Sequence, residues 1–226
     1  MDEFSAWEAD LGVLGTGRMG SRIAAMFARA GRRVVLGSRD SERSGEIVEK
    51  LQIPTLRAGC NSDALSARAI LPAVFMRDGL FDLLDRKCSL LTGKLLIDIS
   101  NPFNADYSDF TTPWNTSAAE ELQRRFPQAR VVGAFKNVFW EVFDHPQFGE
   151  TLSDVLVTGD HARDKEEFFR LVEGTPFRYL DAGPLVHSRT IERLTFITSS
   201  IGKQLHSYPR MNWRLLTQSV ARARAA

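Results

Sequence analysis

The run Asp10-Leu11-Gly12-Val13-Leu14-Gly15-Thr16-Gly17-Arg18-Met19-Gly20 constrains this chain more than any other segment. A short apolar stretch leads into Gly15-x-Gly17-x-x-Gly20, and residues 21–30 then have the composition of a helix. Strand, tight glycine turn and helix start form the context in which this spacing binds a dinucleotide. Gly15 makes the turn, Gly17 lets a pyrophosphate approach the backbone, and Gly20 lets helix and strand pack closely. The helix N-terminus directs its N–H groups at the phosphates, with Thr16, Arg18 and Met19 completing the turn. A second apolar stretch, residues 33–37, follows at the spacing of a βαβ unit.

The end of that second stretch selects the nucleotide. An NAD site places Asp or Glu there to accept from the ribose hydroxyls. Here the stretch ends in Gly37-Ser38-Arg39, with Arg43 one helical turn further on. A hydroxyl and two guanidinium groups suit a 2′-phosphate, which a carboxylate would repel. NADP is therefore expected over NAD. Asp40 could instead serve the ribose, or Ser38 or Asp40 could cap the next helix with both arginines in solvent.

At 226 residues, 43% hydrophobic and 25% charged, the chain is expected to fold as one soluble domain over residues 1–226. Its net charge of +1 gives no bias toward nucleic acid or anionic membranes. No apolar run is long enough to span a bilayer. The acidic N-terminus lacks a signal core, and Cys60 and Cys88 are spaced unlike a metal knuckle or redox pair. These features predict a cytoplasmic protein. The four histidines show no metal-ligand spacing, so no metal site is expected.

Strand and helix patterns alternate nearly to the end. Helices are predicted over 41–51, 78–85, 117–126 and 163–173, and strands over 54–56, 69–73, 94–98, 130–134, 154–158 and 177–180. Residues 185–216 read as helical with an interruption at Tyr208-Pro209, and 184–220 as a C-terminal helical extension. Strands separated by such helices predict a Rossmann-type α/β fold, a doubly wound and mostly parallel sheet with the C-terminal helices packed on the same domain.

In such a sheet, ligands bind beyond the carboxyl ends of the strands. Those ends carry Phe75, Asn101-Pro102, and Ala134-Phe135-Lys136. Asn101 could place an amide near a nicotinamide ring, though Asn-Pro is also an ordinary loop former. Phe75 could pad the cofactor or simply join the core. Lys136 follows an apolar strand, where a lysine suits a cleft and could donate a proton to a carbonyl or imine as hydride arrives. It could equally bind phosphate or lie in solvent.

The same residues resemble the NADPH-dependent coenzyme F420 (8-hydroxy-5-deazaflavin) reductase family. The resemblance runs from Leu11 to about Ile201 and rests on residues 12–20, 35–39, 98–102, 116–122 and 131–135. Its most specific element is Asp181-Ala-Gly-Pro-Leu185, followed by Ser188-Arg189 and Ile191-Glu192. The segments are also similar to the cytosolic NADPH domain of six-transmembrane metalloreductases. The resemblance implies a pyrophosphate on residues 16–19, a 2′-phosphate on Ser38, Arg39 and Arg43, and a nicotinamide bounded by Phe75, Asn101, Pro102, Ala134 and Phe135. It also implies direct hydride transfer to a deazaflavin or flavin-like acceptor, which needs stacking and positioning more than acid or base. Two departures stand out. Pro72 is displaced within Leu71-Pro72-Ala73-Val74, and Lys136 stands where the family usually has Asn.

Three readings follow. The first is an NADPH-dependent oxidoreductase with a deazaflavin or flavin-like acceptor. The second is a reductase of a small carbonyl or imine with Lys136 as proton donor, its site shaped by Tyr107, Phe110 and Trp114 in the loop over 104–114. The third is a non-catalytic NADP-binding sensor or partner domain. The apolar stripe Phe196, Ile197, Ile201 and Leu205 could bury a homodimer interface or cover the chain's own sheet.

Overall fold

The computed structural model describes residues 7–217 and, as backbone, the pair Arg224–Ala225. The first half alternates strand and helix: β1 (Leu11–Leu14), α1 (Arg18–Arg29), β2 (Val34–Ser38), α2 (Ser41–Leu51), β3 (Leu56–Cys60), α3 (Asn61–Leu65), β4 (Ala69–Pro72), α4 (Leu80–Asp85) and β5 (Leu95–Asp98). The second half is less regular: α5 (Ala118–Arg125), β6 (Arg130–Gly133), the small hairpin β7 (Gln147–Phe148) and β8 (Thr151–Leu152), β9 (Asp154–Val157), α6 (Ala162–Leu171), β10 (Arg178–Asp181), α7 (Ser188–Gln204) and β11 (Arg224–Ala225).

Strands β1 to β6 form one sheet in the order β3-β2-β1-β4-β5-β6, with every pair parallel. The central strands β1, β2, β4 and β5 are buried along their whole length, as apolar runs between two helical layers require. One layer packs Ile23, Met26 and Phe27 of α1 with Phe135, Phe168, Phe177 and Tyr179. The other packs Leu65, Leu80, Leu84, Leu122 and Phe126. The order reverses between β1 and β4, which opens the switch-point crevice at the carboxyl edge of the sheet.

The Rossmann-type architecture is as expected, with three local differences. The expected strand at 54–56 lies at Leu56–Cys60, paired in parallel with β2. Strands β9, β10 and β11 make a separate small sheet, with β9 and β10 parallel and β11 antiparallel to β10, and an antiparallel bridge between Gly133 and Thr158 joins it to the large one. The connection from β6 to β9 carries no α-helix, the usual crossover of a parallel pair. Finally, the helical reading of 185–216 holds only through Gln204. Residues 211–217 run without regular structure beside β9, where the Asp154 N–H donates to the Trp213 carbonyl at 3.1 Å and the Leu215 N–H to Asp154 Oδ2 at 2.7 Å. Residues 218–220 of the expected extension lie outside the described residues.

Candidate active site

The glycine turn separates three physical roles. Gly15 has φ 109°, and a Cβ built there would lie 2.8 Å from the Ala73 carbonyl oxygen, so both conformation and space require glycine. A Cβ on Gly20 would fall 2.0 Å from the Gly15 carbonyl oxygen. Close approach of α1 to β1 therefore depends on it. Gly17 is different: its φ of −73° suits any residue, and a Cβ there would meet nothing within 4 Å. Among the described residues nothing requires glycine at that position, whereas an anion resting on the turn would. The first turn of α1 carries no acidic residue, and Gly17 supplies no side-chain cap. Its N–H groups and the helix dipole thus face outward, which fits a pyrophosphate. Thr16 and Met19 are half-buried and Arg18 is exposed.

The end of β2 carries exposed positive charge beside the start of α2. Asp40 accepts from the N–H groups of Glu42 and Arg43 at 3.0 and 3.4 Å and so caps α2. Its own N–H donates to Ser38 Oγ at 3.2 Å. The carboxylate that could have served a ribose is turned onto its own helix. Arg39 and Arg43 are exposed, and neither pairs with a described carboxylate. Two guanidinium groups beside a helix N-terminus fit a 2′-phosphate.

The β5 and β6 edges are filled from within. Phe135 holds φ 57°, a left-handed conformation without a glycine to favour it. This turn sends its ring into the core, 5.7 to 6.3 Å from Phe143, Tyr179, Phe168, Phe27 and Phe177. The expectation that Phe135 bounds the nicotinamide is thereby corrected, since the ring belongs to the aromatic core. Ala134 is fully buried and its N–H donates to the Asp98 carbonyl at 3.0 Å. Pro102 is buried, Asn101 half-buried, and Phe75 40% exposed at the exit from β4.

Lys136 lies in no open cleft. It is 2% exposed, and Nζ donates to Asp98 Oδ2 at 2.5 Å, to the Ser100 carbonyl at 2.7 Å and to Glu192 Oε1 at 2.8 Å. An ammonium has three protons to donate, and all three have acceptors within the chain. Burial opposes its charge, but Asp98 and Glu192 outweigh burial, so its pKa stands above the ordinary lysine value. Burial holds the Glu192 carboxyl above the usual carboxylate range despite Lys136. Glu192 Oε2 also accepts from the Ala118 N–H at the start of α5, and Asp98 Oδ1 from the Ser100 N–H. This triad ties β5, β6, α5 and α7 together. The Lys136 carbonyl accepts from Asn101 Nδ2 at 2.8 Å, and Thr195 Oγ1 from the same group at 3.1 Å, so the amide orientation is set. Asn101 Oδ1 and Ser100 Oγ have no partner among the described residues.

The loop aromatics divide in two. Trp114 stacks on Arg193 at 3.7 Å, and Phe110 packs on Phe196 at 4.7 Å, both anchoring the loop to α7. Tyr107 stays 52% exposed beside Phe75. The reading of residues missed Asp98 and Glu192 as partners of Lys136. Asp98 is signalled by a carboxylate ending an apolar strand, whereas Glu192 stands among polar residues on a helix and carries no such signal.

The family described as NADP oxidoreductase, coenzyme F420-dependent, matches residues 10–102. The F420-dependent NADP reductase of Methanothermobacter thermautotrophicus is 30% identical over 196 residues, which cover 80% of this chain and 83% of that protein. Metalloreductase STEAP3 of Rattus norvegicus is 29% identical over 188 residues, covering 81% of this chain and 36% of that protein. The chain thus spans about a third of the metalloreductase's length. Among solved structures, a protein of Arthrobacter sp. FB24 described as an F420-dependent NADP reductase superposes with a TM-score of 0.81 at 22% identity. That match covers 92% of this chain and 100% of the other and speaks to the fold.

Proposed function

The chain belongs to the family of coenzyme F420-dependent NADP oxidoreductases, and on that premise we propose that it passes hydride between NADP(H) and a deazaflavin or flavin-like ring at the carboxyl edge of the large sheet. It is an NADPH-dependent oxidoreductase. In our assignment the turn Gly15, Thr16, Gly17, Arg18, Met19 and Gly20 holds the pyrophosphate. Ser38, Arg39 and Arg43 take the 2′-phosphate, and Phe75, Asn101, Pro102 and the backbone of Ala134 border the nicotinamide.

The observation that carries the reading is Gly17, a glycine with neither steric nor conformational need among the described residues, in a chain whose Arg39 and Arg43 pair with no described carboxylate. When bound, NADPH supplies a hydride from its nicotinamide ring. What this chain contributes is orientation. Asn101 offers Oδ1 to an N–H donor such as a carboxamide, and the triad around Lys136 keeps the Ser100–Asn101 turn in place. Hydride transfer between two rings needs no side-chain proton donor, and Lys136 has no proton free for one. The carbonyl or imine reading, which needs Lys136 at the substrate, is accordingly the weaker.

Two finer assignments accompany this one. Ile197, Ile201 and Leu205 lie exposed at successive four-residue steps of α7 and its end, whereas Phe196 is turned inward onto Phe103 and Phe110. The three exposed residues would pair α7 with a second copy of the chain. Cys60 and Cys88 are both free and exposed, as suits a reducing cytoplasm. No helix among the described residues is long and apolar enough to cross a membrane.

Mixing the protein with NADPH and oxidised coenzyme F420 tests the function. Coupled loss of both absorbances is the expected outcome. NADPH that binds tightly but is consumed with neither F420 nor any flavin would overturn the hydride-acceptor assignment.

A further inference from the structure

The buried triad holds more negative charge than its ammonium can balance. Two carboxylates, Asp98 and Glu192, share the one ammonium of Lys136, so the cluster carries one net negative charge when both are ionised. The hydrogen bonds favour that state. Asp98 accepts from the Ser100 N–H at 2.9 Å and from Lys136 Nζ at 2.5 Å. Glu192 accepts from the Ala118 N–H at 3.1 Å and from Lys136 Nζ at 2.8 Å. All four carboxylate oxygens thus face donors, and a protonated carboxyl would find no acceptor for its own hydrogen among those partners. None of the three side chains is more than 1% exposed, so solvent screens the charge little.

The neighbouring elements leave that charge in place. β6 contributes Lys136 and β5 contributes Asp98. From α5 comes the Ala118 N–H, while the Glu120 carboxylate of the same helix is paired with Arg189 of α7 at 2.8 Å. Arg193, next to Glu192 on α7, turns to Trp114 and Asp109 instead. Beyond β9, Thr158 meets Ser188 of α7 as one uncharged hydroxyl on another. Burial lifts the Glu192 carboxyl above the usual carboxylate range, with Lys136 opposing and Asp98 adding. Glu192 therefore takes up a proton at a higher pH than an ordinary carboxyl, and the cluster is then neutral.

The cluster lies directly behind the turn that the assignment above puts against the nicotinamide. Lys136 Nζ donates to the Ser100 carbonyl at 2.7 Å, and Asn101 Nδ2 donates to the Lys136 carbonyl at 2.8 Å. A nicotinamide ring is a cation when oxidised and neutral when reduced. We infer that the excess charge of the Asp98–Lys136–Glu192 cluster favours the oxidised over the reduced cofactor and so biases the site toward hydride leaving NADPH. The electron pair and its proton pass together to the acceptor, and the positive charge left on the ring is what the cluster attracts. One carboxylate would have neutralised the ammonium; the second leaves the charge in excess. The inference rests on the hydride-transfer assignment and goes beyond it by giving the triad a part in the direction of the reaction.

The test titrates NADP+ and NADPH separately against the full chain and takes the ratio of the two affinities, in which the shared phosphates cancel. Glu192→Gln removes the charge and should lower the preference for NADP+ by about tenfold at about pH 8. Glu192→Asp keeps the charge and should retain most of the preference. In wild type the preference should grow from about pH 5.5 to about pH 8 as Glu192 ionises, whereas Glu192→Gln should give a flat profile. Should Glu192→Gln fail to fold, Asp98→Asn removes a charge from the same cluster and takes its place. If both nucleotides bind and the Gln variant keeps the wild-type ratio, or if Gln and Asp lower it alike, the cluster only ties the fold together. This inference then falls and the hydride-transfer assignment stands. A flat wild-type profile would overturn it in the same way. If wild type binds neither nucleotide, both fall.

Discussion

The two sides of the carboxyl edge of the sheet solve opposite problems. At the β1 and β2 ends the chain leaves its polar groups open: Gly17 faces empty space, the first turn of α1 has no side-chain cap, and Arg39 and Arg43 have no described carboxylate partner. At the β5 and β6 ends it fills the equivalent space with its own charges, Lys136 between Asp98 and Glu192. One side leaves its donors and guanidinium groups without partners among the described residues. The other is a closed bracket that holds a loop. A charged residue at a strand end therefore says little about catalysis until its partners are known.

The sharpest way to break this contrast is to add side chains to the two glycines it treats differently. Gly20→Val drives a Cβ into a space 2.0 Å from the Gly15 carbonyl oxygen, so α1 must move off β1. Overpacking of side chains costs about 1–3 kcal/mol, and a clash with backbone should exceed that and prevent soluble folding. Gly17→Val meets no described atom and should cost no more than the loss of a glycine N-cap, about 1 kcal/mol. Its NADPH affinity should fall at least about tenfold, a change of roughly 1.4 kcal/mol. Calorimetric melting and NADPH titration of both variants measure this. A Gly17→Val protein destabilised as much as Gly20→Val would show that the turn serves folding rather than a ligand.

The bracket side is probed by Lys136→Met. Removing the ammonium leaves two buried carboxylates without a counter-charge, which typically costs about 3–5 kcal/mol. The sign of the pH dependence follows from Glu192, whose folded pKa is already raised. The folded state then binds more protons than the unfolded state between the unfolded and folded values, and stability falls as pH rises through that window. Lys136 lowers the Glu192 pKa, so its loss raises that pKa further and widens the window. The deficit of the variant should be larger at about pH 8 than at about pH 5, because acid neutralises one of the two orphaned carboxylates. Urea unfolding at both values checks this. An equal deficit at the two would mean that packing of the lysine stem, not its charge, is what the fold needs.

These two sites also mark what was legible in the chain. The glycine spacing, the apolar strands and the missing carboxylate after β2 are local signals, readable because each acts within one βαβ unit. The Lys136 triad joins residues 38 and 56 positions apart. Nothing local announces that pairing. A lysine after an apolar strand suits a cleft, a phosphate or solvent, whereas Lys136 finds carboxylates inside the fold. Phe135 was misplaced for a related reason, since its left-handed turn has no glycine to signal it. Residues 211–217 have helix-forming composition, but the bonds they make to Asp154 and Thr198 use backbone and side-chain groups at β9 and α7 that a helix would leave unmet.

The smallest expected effect lies back at the β2 end, at Arg39 and Arg43. Each is exposed, so replacing either should leave stability unchanged within about 0.5 kcal/mol. A hydrogen bond to a charged group is worth about 1.5–3 kcal/mol, but exposure and salt screening reduce it here, so about a tenfold loss per arginine is the reasonable upper range. The loss should be confined to NADPH, because NADH has no 2′-phosphate for either guanidinium to meet. Arg39→Ala and Arg43→Ala should therefore lower the preference for NADPH over NADH, and raising ionic strength should lower it in wild type while moving the variants less. Asp40 supplies the control. Its carboxylate accepts from the Glu42 and Arg43 N–H groups rather than facing a ribose, so Asp40→Asn keeps a capping acceptor and should leave the preference where it was. A large gain in NADPH affinity in that variant would mean that the Asp40 charge repels the phosphate across the cap, and that the β2 end is less open than its geometry suggests.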